Sequence, residues 1–272
     1  MRNPTGTRAW ALAGALAGAL LSVAAFAPAA WLASAIERAS GARVVLADTQ
    51  GSIWSGSGQL ILSAGPGSDV ARALPGRVYW SLRPRWLGLA GQLQADCCAQ
   101  QPISVTLTRR GAGWRTDIAA PPSRWPAAVL AGLGAPWNTL APQGEITLAA
   151  DALSVEWSEG RLTVAGSARI EANRISSGLS PLKPMGSYRI TLHPEMNPSV
   201  APPTNLSETR APRLDLETVE GALLLRGQGQ WLGSHFRFSG TAEAAPEREA
   251  VLSNLLNIIG RRDGPRSIIT VG

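Results

Sequence analysis

"RLTVAGSARIEA", residues 161–172, alternates along its whole length. Leu162, Val164, Gly166, Ala168, Ile170 and Ala172 fall on one side, and Arg161, Thr163, Ala165, Ser167, Arg169 and Glu171 on the other. Successive side chains of an extended chain point to opposite faces, so one apolar and one wet face marks a half-buried antiparallel strand. The same period of two recurs outward in both directions. "ISVTL" (103–107) sets Ile103, Val105 and Leu107 against Ser104 and Thr106. "RVYWSL" (77–82), "EITLAA" (145–150), "LSVEW" (153–157), "SYRITL" (187–192), "ALLLRGQ" (222–228) and "HFRFSGTAEA" (235–244) repeat the pattern, separated by Gly- or Pro-centred turns. Beyond residue 40 the chain predicts a mainly β domain, built on a large antiparallel sheet that curls into an open half-pipe or closes as a sandwich.

The turns have a recurrent form. "LPGRVYWSL", "APQGEITLAA" and "KPMGSYRITL" each give proline, then glycine, then an alternating strand. Proline ends the preceding element, and glycine takes backbone angles that other residues resist. The spacings differ, so this is a reused strand-launching device and not a solenoid repeat. Two helices are predicted inside the β domain. "PAAVLAGLG" (126–134) is short and stops at glycine. "PEREAVLSNLLNIIGRR" (246–262) is amphipathic, with Pro246 and glutamates at its start, Gly260 and arginines at its end, and a stripe of Val251, Leu252, Leu255, Leu256 and Ile259. It is expected to cover a face or one end of the sheet, and "RSIITVG" (266–272) to return as a strand. "HPEMNPSVAPPTNLSETRAP" (193–212) is rich in proline and reads as a loop within the domain.

At the N-terminus, Arg2 and Arg8 precede "AWALAGALAGALLSVAAFAPAAWLASAI", which holds no charge before Glu37. A membrane-spanning helix needs about 20 apolar residues. A cleaved signal peptide needs fewer, and "VAAFA" before Pro28 would suit its cleavage site. The length of the run favours an uncleaved anchor over residues 9–31, with Trp10 and Trp31 near its ends. The positive-inside rule then leaves the first residues cytoplasmic and the rest across the membrane. The expected organisation is residues 1–36 as cytoplasmic stub and single-pass transmembrane anchor, touching membrane lipid, and 37–272 as a β domain outside the cytoplasm.

Net charge is +6, yet Lys183 is the only lysine and the arginines are scattered. Nucleic-acid proteins usually gather their basic residues into a patch on a recognisable module, and neither is visible, so no nucleic acid is expected as partner. Charged residues are only 16% of the chain, below the ~25% of an ordinary soluble domain. Cys97 and Cys98 are the only cysteines. In an oxidising compartment they would form either a vicinal disulfide or two neighbouring thiols, and no metal site, which needs further ligands.

The search for chemistry returns little. His193 opens the Pro-rich segment and His235 lies on the wet phase of a strand; neither has an evident partner for acid–base work. The carboxylates are dispersed. "GQGQWLG" (227–233) lacks dinucleotide-fingerprint spacing, and "GSIWSGSG" (51–58) lacks the lysine of a phosphate loop and reads as a hairpin turn. The tryptophans of the strand region read as packing residues before they read as a stacking platform. No catalytic residue, cofactor or metal is expected.

"GSIWSGSGQLIL", "LPGRVYWSLRP", "PISVTLTRRGAGW", "LAGLGAPWNTLAPQGEITL", "ISSGLSPLKPMGSYRITL" and "NLLNIIGRRDGPRSIITVG", in this order after an apolar N-terminus, resemble protein N of the bacterial type II secretion system along nearly the whole chain. The most specific parts are Gly132, Gly134, Pro136, Trp137 and Asn138 followed by Pro142 and Gly144, and Pro181, Leu182, Pro184, Gly186, Ser187 and Tyr188. The resemblance implies an inner-membrane protein with a periplasmic β domain and no catalysis, serving a machine that exports folded proteins across the outer membrane. Its partners would be other subunits of that machine, inner-membrane components or the secretin, and strand addition at an exposed edge is one mode of docking. The alternative is a groove that binds or conducts lipid, lined by the small residues Gly166, Ala168, Ala172, Gly240, Ala242 and Ala244. A periplasmic hydrolase ranks last, for want of a nucleophile and base.

Overall fold

The structure, a computed structural model, describes residues 4–158, 161–194, 212–232 and 235–272. Its strands are β1 (Val44–Gly51), β2 (Ser55–Ser63), β3 (Ala71–Ala73), β4 (Val78–Arg85), β5 (Gly88–Ala95), β6 (Ala99–Arg110), β7 (Gly113–Pro126), β8 (Gln143–Ser158), β9 (Arg161–Ser176), β10 (Gly186–Pro194), β11 (Pro212–Gly221), β12 (Leu223–Leu232), β13 (His235–Ala244), β14 (Arg261–Asp263) and β15 (Arg266–Val271). All fifteen join one sheet in the order β1-β2-β4-β5-β6-β7-β8-β9-β10-β11-β12-β13-β15-β14, with β3 hydrogen-bonded to β2 beside this path. Every pairing is antiparallel, and β1 and β14 do not pair with each other. The sheet is open, not a closed barrel.

It is also strongly curled. Leu60 on β2 and Ile269 on β15 border the same cavity. These strands stand eleven places apart in the sheet order, which in a flat sheet would separate them by about 50 Å at ~4.8 Å per strand. Of the two forms the sequence leaves open, half-pipe and sandwich, the open half-pipe is the observed one. β-bulges contribute to the bend: Ala152 (φ 45°) and Gly166 (φ 78°) mark a register shift between β8 and β9. The extra residue lies on β8, whose alternation changes phase between Asp151 and Ser154, which period two alone does not reveal.

The two ends of the sheet differ. At one end lie short hairpin turns at 52–54, 86–87 and 111–112. At the other lie the longer connections, which carry a 3-10 helix (Ala127–Leu133), a single-turn helix α3 (Trp137–Leu140), the segment 177–185, and helix α4 (Glu249–Ile259). Two buried clusters sit at this closed end. One joins Met185, Tyr188, Leu223 and Ala242 to Leu252, Leu255 and Leu256 of α4; the other joins Leu74, Val78, Ala95, Cys98 and Ala99. The helix predicted over 246–262 is thus shorter, and Val251 of its expected stripe is 38% exposed. The predicted loop 193–212 shrinks at both ends, since His193 and Pro194 belong to β10 and Pro212 to β11; residues 195–211 lie outside the described residues.

The apolar N-terminal run is two helices, not one: α1 (Pro4–Ala25) and α2 (Ala29–Ala39). Pro28, extended at ψ 149° and without an N–H to continue the ladder, separates them. Ala27, Ala29 and Ala33 are buried, and the Ala27 carbonyl accepts the Ile53 N–H at 2.9 Å, so α2 is packed on the β domain. Trp31 therefore sits on α2. Among the described residues no helix is both long and apolar enough to cross a membrane.

Candidate functional site

At the closed end, two stretches far apart in the chain fold into one corner. In the first, Gly132 is buried where the 3-10 helix presses on the sheet. A side chain there would strike the Leu62 carbonyl of β2 and approach the Arg72 N–H of β3 to 2.8 Å, so only glycine permits this contact. The chain then turns through Gly134 (φ 79°) and the cis Ala135–Pro136 bond into α3, where Trp137 and Asn138 face outward. Ala141 in the left-handed region ends α3, Pro142 is buried, and Gly144 (φ 124°) lies at the start of β8.

The second stretch closes on the first through one oxygen. The Leu140 carbonyl, at the C-terminus of α3, accepts hydrogen bonds from the Ser177 hydroxyl at 2.7 Å and the Gly178 N–H at 2.9 Å. A carbonyl at a helix end has no partner within its own helix, and here the second stretch supplies both. Pro181 and Pro184 are exposed, Leu182 half-buried, and the Lys183–Pro184 bond is cis. Gly186 is buried for a specific reason: a Cβ there would come within 2.9 Å of the Tyr188 hydroxyl and 2.7 Å of the Glu220 carbonyl. Glycine at 186 makes room for the phenol two residues on. The Ser187 hydroxyl accepts the Arg174 N–H at 3.0 Å and donates to Glu220 Oε1 at 3.1 Å.

Next to this corner the concave face encloses a cavity of about 670 Å3. Trp125, Ile146, Leu148, Ile170 and Ile190 form its floor on consecutive strands, Trp137 and Leu140 one wall, and Leu255 and Ile259 of α4 another. Among the described residues no charged side chain borders it. Of the six small residues expected to line a groove, only Ala172 does so; Ala242 is sealed beneath α4. Tyr188 also borders the cavity. It is 7% exposed, its hydroxyl has no hydrogen-bond partner among the described residues, and burial holds its pKa far above the ordinary phenol value.

Cys97 and Cys98 form a vicinal disulfide in the turn between β5 and β6, and the Cys98 carbonyl accepts the Arg124 N–H at 2.9 Å. His193 has a partner that its sequence neighbourhood does not show. The β10–β11 register brings Asp215 Oδ2 to 2.6 Å from Nε2, while Nδ1 lies 3.0 Å from the Pro194 carbonyl. The hydrogen bond to Asp215 raises the imidazole pKa. No hydroxyl or thiol among the described residues bonds this imidazole, so the pair lacks a nucleophile to activate. Among the described residues there is also no cluster of three metal-ligating side chains.

The tryptophans divide by end. Trp80 is buried and Trp125 lines the cavity, as packing residues should. At the hairpin end Trp86 is 97% exposed, and Trp114 and Trp157, cross-strand neighbours on β7 and β8, are each more than 40% exposed, with Arg109 stacked 5.5 Å from the Trp114 ring. Period-two reading gives each tryptophan a face but not a partner, so this exposed group is visible only in the fold.

No curated protein and no solved structure matches the chain at a significant level. A family model described as "Type II secretion system (T2SS), protein N" matches residues 42–270, which runs from before β1 into β15 and includes the corner that unites the two Gly/Pro stretches. The chain belongs to the type II secretion system protein N family.

Proposed function

We propose that the protein is a non-enzymatic accessory component of the type II secretion machinery, held at the inner membrane by its apolar N-terminal run, and that its periplasmic sheet docks other envelope subunits through the closed-end corner. The observation that carries this reading is the union of the two Gly/Pro stretches at the Leu140 carbonyl. A corner fixed from both sides presents Trp137 and Asn138 with Pro181 and Pro184 outward, and a tryptophan on a rigid support is the kind of side chain on which interfaces concentrate their energy. Strand addition is the weaker mode, because both sheet edges are guarded. The Val44 N–H and carbonyl of β1 are both taken by the Ser40 hydroxyl, a bulge at Asp48 (φ 49°) follows, and β14 is three residues long with Arg261, Arg262 and Asp263.

The anchor reading is supported by α1 itself. Trp10, Leu12, Leu16 and Leu21 are each at least two-thirds exposed, and no described side chain of α1 is buried against the sheet. An all-round apolar helix without a packed face is better solvated by lipid than by water. The chain leaves α1 at the hairpin end, where the Trp54 indole N–H donates to the Ala24 carbonyl at 2.7 Å. Trp86, Trp114 and Trp157 with Arg109 lie at that end, and such amphipathic side chains suit a membrane–water interface. The corner then points away from the bilayer, toward partners.

Photo-reactive residues placed at Asn138 and, as control, at Val219, in the full chain in cells with a working secretion system, test the docking. Adducts with other secretion subunits from Asn138 alone support the reading. Equal or absent adducts, together with undiminished exoprotein export by the Trp137→Ala variant, overturn it.

A further inference from the structure

The hairpin end carries apolar and cationic side chains that the fold leaves exposed. Trp86 and Leu87, which form the β4–β5 tip, are 97% and 55% exposed. This tip is tied to its neighbours through the backbone. The Leu82 N–H donates to the Trp54 carbonyl at 2.6 Å, and the Arg109 N–H to the Leu87 carbonyl at 2.7 Å. Trp54 in turn donates to the Ala24 carbonyl at the end of α1. One continuous edge therefore runs from the point where the apolar N-terminal run leaves the domain, across the β4–β5 tip, to the β6–β7 tip. Arg109, Trp114 and Trp157 follow as cross-strand partners and share one face.

Charge on these two hairpins has one sign. Arg83, Arg85, Arg109 and Arg110 are exposed, and among the described residues none of them forms an ion pair. No aspartate or glutamate occurs from Arg83 to Ala95 or from Cys97 to Thr116. The acidic residues further along, Asp117 and Glu156, flank Arg115 instead. An indole suits a membrane–water interface through its apolar ring and its N–H, and a guanidinium holds phosphate oxygens with paired donors. An exposed leucine beside them gains where hydrocarbon is within reach. We infer, on the reading that the apolar N-terminal run is held at the inner membrane, that this edge is a contact surface for anionic phospholipid. Trp86 and Leu87 dip below the head groups, and Arg85, Arg109 and Arg110 hold their phosphates. Anionic lipid is selected because unpaired cations are drawn to a negatively charged surface and gain little from a zwitterionic one.

Cys97 and Cys98 are bonded to each other, so a single introduced cysteine is the only free thiol to label. The full chain carries an environment-sensitive fluorophore at Leu87→Cys or, as control, at Val219→Cys, a position 51% exposed near the closed end of β11. It is reconstituted in vesicles containing a phospholipid spin-labelled close to its head group. In phosphatidylglycerol–phosphatidylcholine vesicles the probe at 87 should be quenched several-fold more than the probe at 219. Phosphatidylcholine alone, raised salt, or Arg85→Glu, Arg109→Glu and Arg110→Glu combined should each remove most of that difference while the chain still floats with the vesicles. Trp86→Ala should weaken it at an unchanged urea midpoint. Equal quenching with and without phosphatidylglycerol overturns the anionic assignment. A chain that floats with the vesicles but is quenched no more at 87 than at 219 overturns the lipid contact, even if an acidic partner protein meets the same arginines, and leaves the anchor reading in place. A chain that does not float overturns both.

Discussion

The two ends of this half-pipe share strands but obey different rules. At the closed end the connections are long, fold into short helices, and bury Leu252, Leu255, Leu256 and Leu74 almost completely. At the hairpin end the turns are short, and Trp86 stands 97% exposed on the β4–β5 tip. A single curled sheet has only one concave face and no second sheet to pack on it. Its core therefore has to come from the connections, and among the described residues the ones that form helices lie at one end. The comparison teaches that stability and the candidate binding surfaces occupy different ends of the same strands.

The sharpest way to break this comparison is to truncate one large side chain at each end. Leu252→Ala, beneath α4, should lower stability by about 2–5 kcal/mol, read as a lower urea midpoint, because it opens a cavity in the larger cluster. Trp86→Ala should stay within ~0.5 kcal/mol of the parent, as exposed substitutions do. Similar losses at both ends would mean that the hairpin end is packed after all.

Gly132→Ala probes the close approach at the corner. The added methyl meets backbone of β2 and β3 and not a movable side chain, so a loss of about 1–3 kcal/mol is expected in the same unfolding measurement. A neutral result would show that the 3-10 helix does not press on the sheet. Ser177→Ala removes one of the two donors to Leu140 and should cost about 0.5–1.5 kcal/mol. It should also reduce the Asn138 adducts if that contact positions the docking surface.

The smallest effect concerns pH. His193 gains a partner on folding and its pKa rises above the ordinary value, so the folded state binds the proton more tightly. Its stabilisation is fully present below the unfolded pKa of about 6.5 and is lost as pH rises through the higher folded pKa. NMR titration should place the His193 imidazole above the ordinary histidine value of about 6.5, and Asp215→Asn should lower it. A His193 midpoint at or below about 6.5 would show that the pair does not form in solution.

Much of the sheet is legible as period two, because an antiparallel strand with one wet face writes its geometry into alternate residues. "HFRFSGTAEA" and "SYRITL" lie within β13 and β10. The corner is half legible. Proline and glycine in "APQGEITL" and "KPMGSY" announce a turn before a strand, but nothing in either stretch says that Ser177 will reach Leu140. The acceptor for His193 is equally silent, since Asp215 becomes its neighbour only through the β10–β11 register. One signal was available and easily passed over: Gly186 and Tyr188 share a face by parity, so a small residue beside a large one hints at a ring that needs room.

The sequence by itself determined the fold class, the antiparallel sheet, the helix under its C-terminal end, and the family. These follow from local alternation, capping and the order of Gly/Pro stretches, each readable within a few residues. Only the tertiary structure decided that the sheet curls and stays open, that the apolar N-terminal run breaks at Pro28, and that the apolar faces enclose a cavity with an unpartnered phenol. Curvature accumulates from twist and bulges over many strands, and burial depends on which distant connection folds back. Neither quantity belongs to any single stretch of chain.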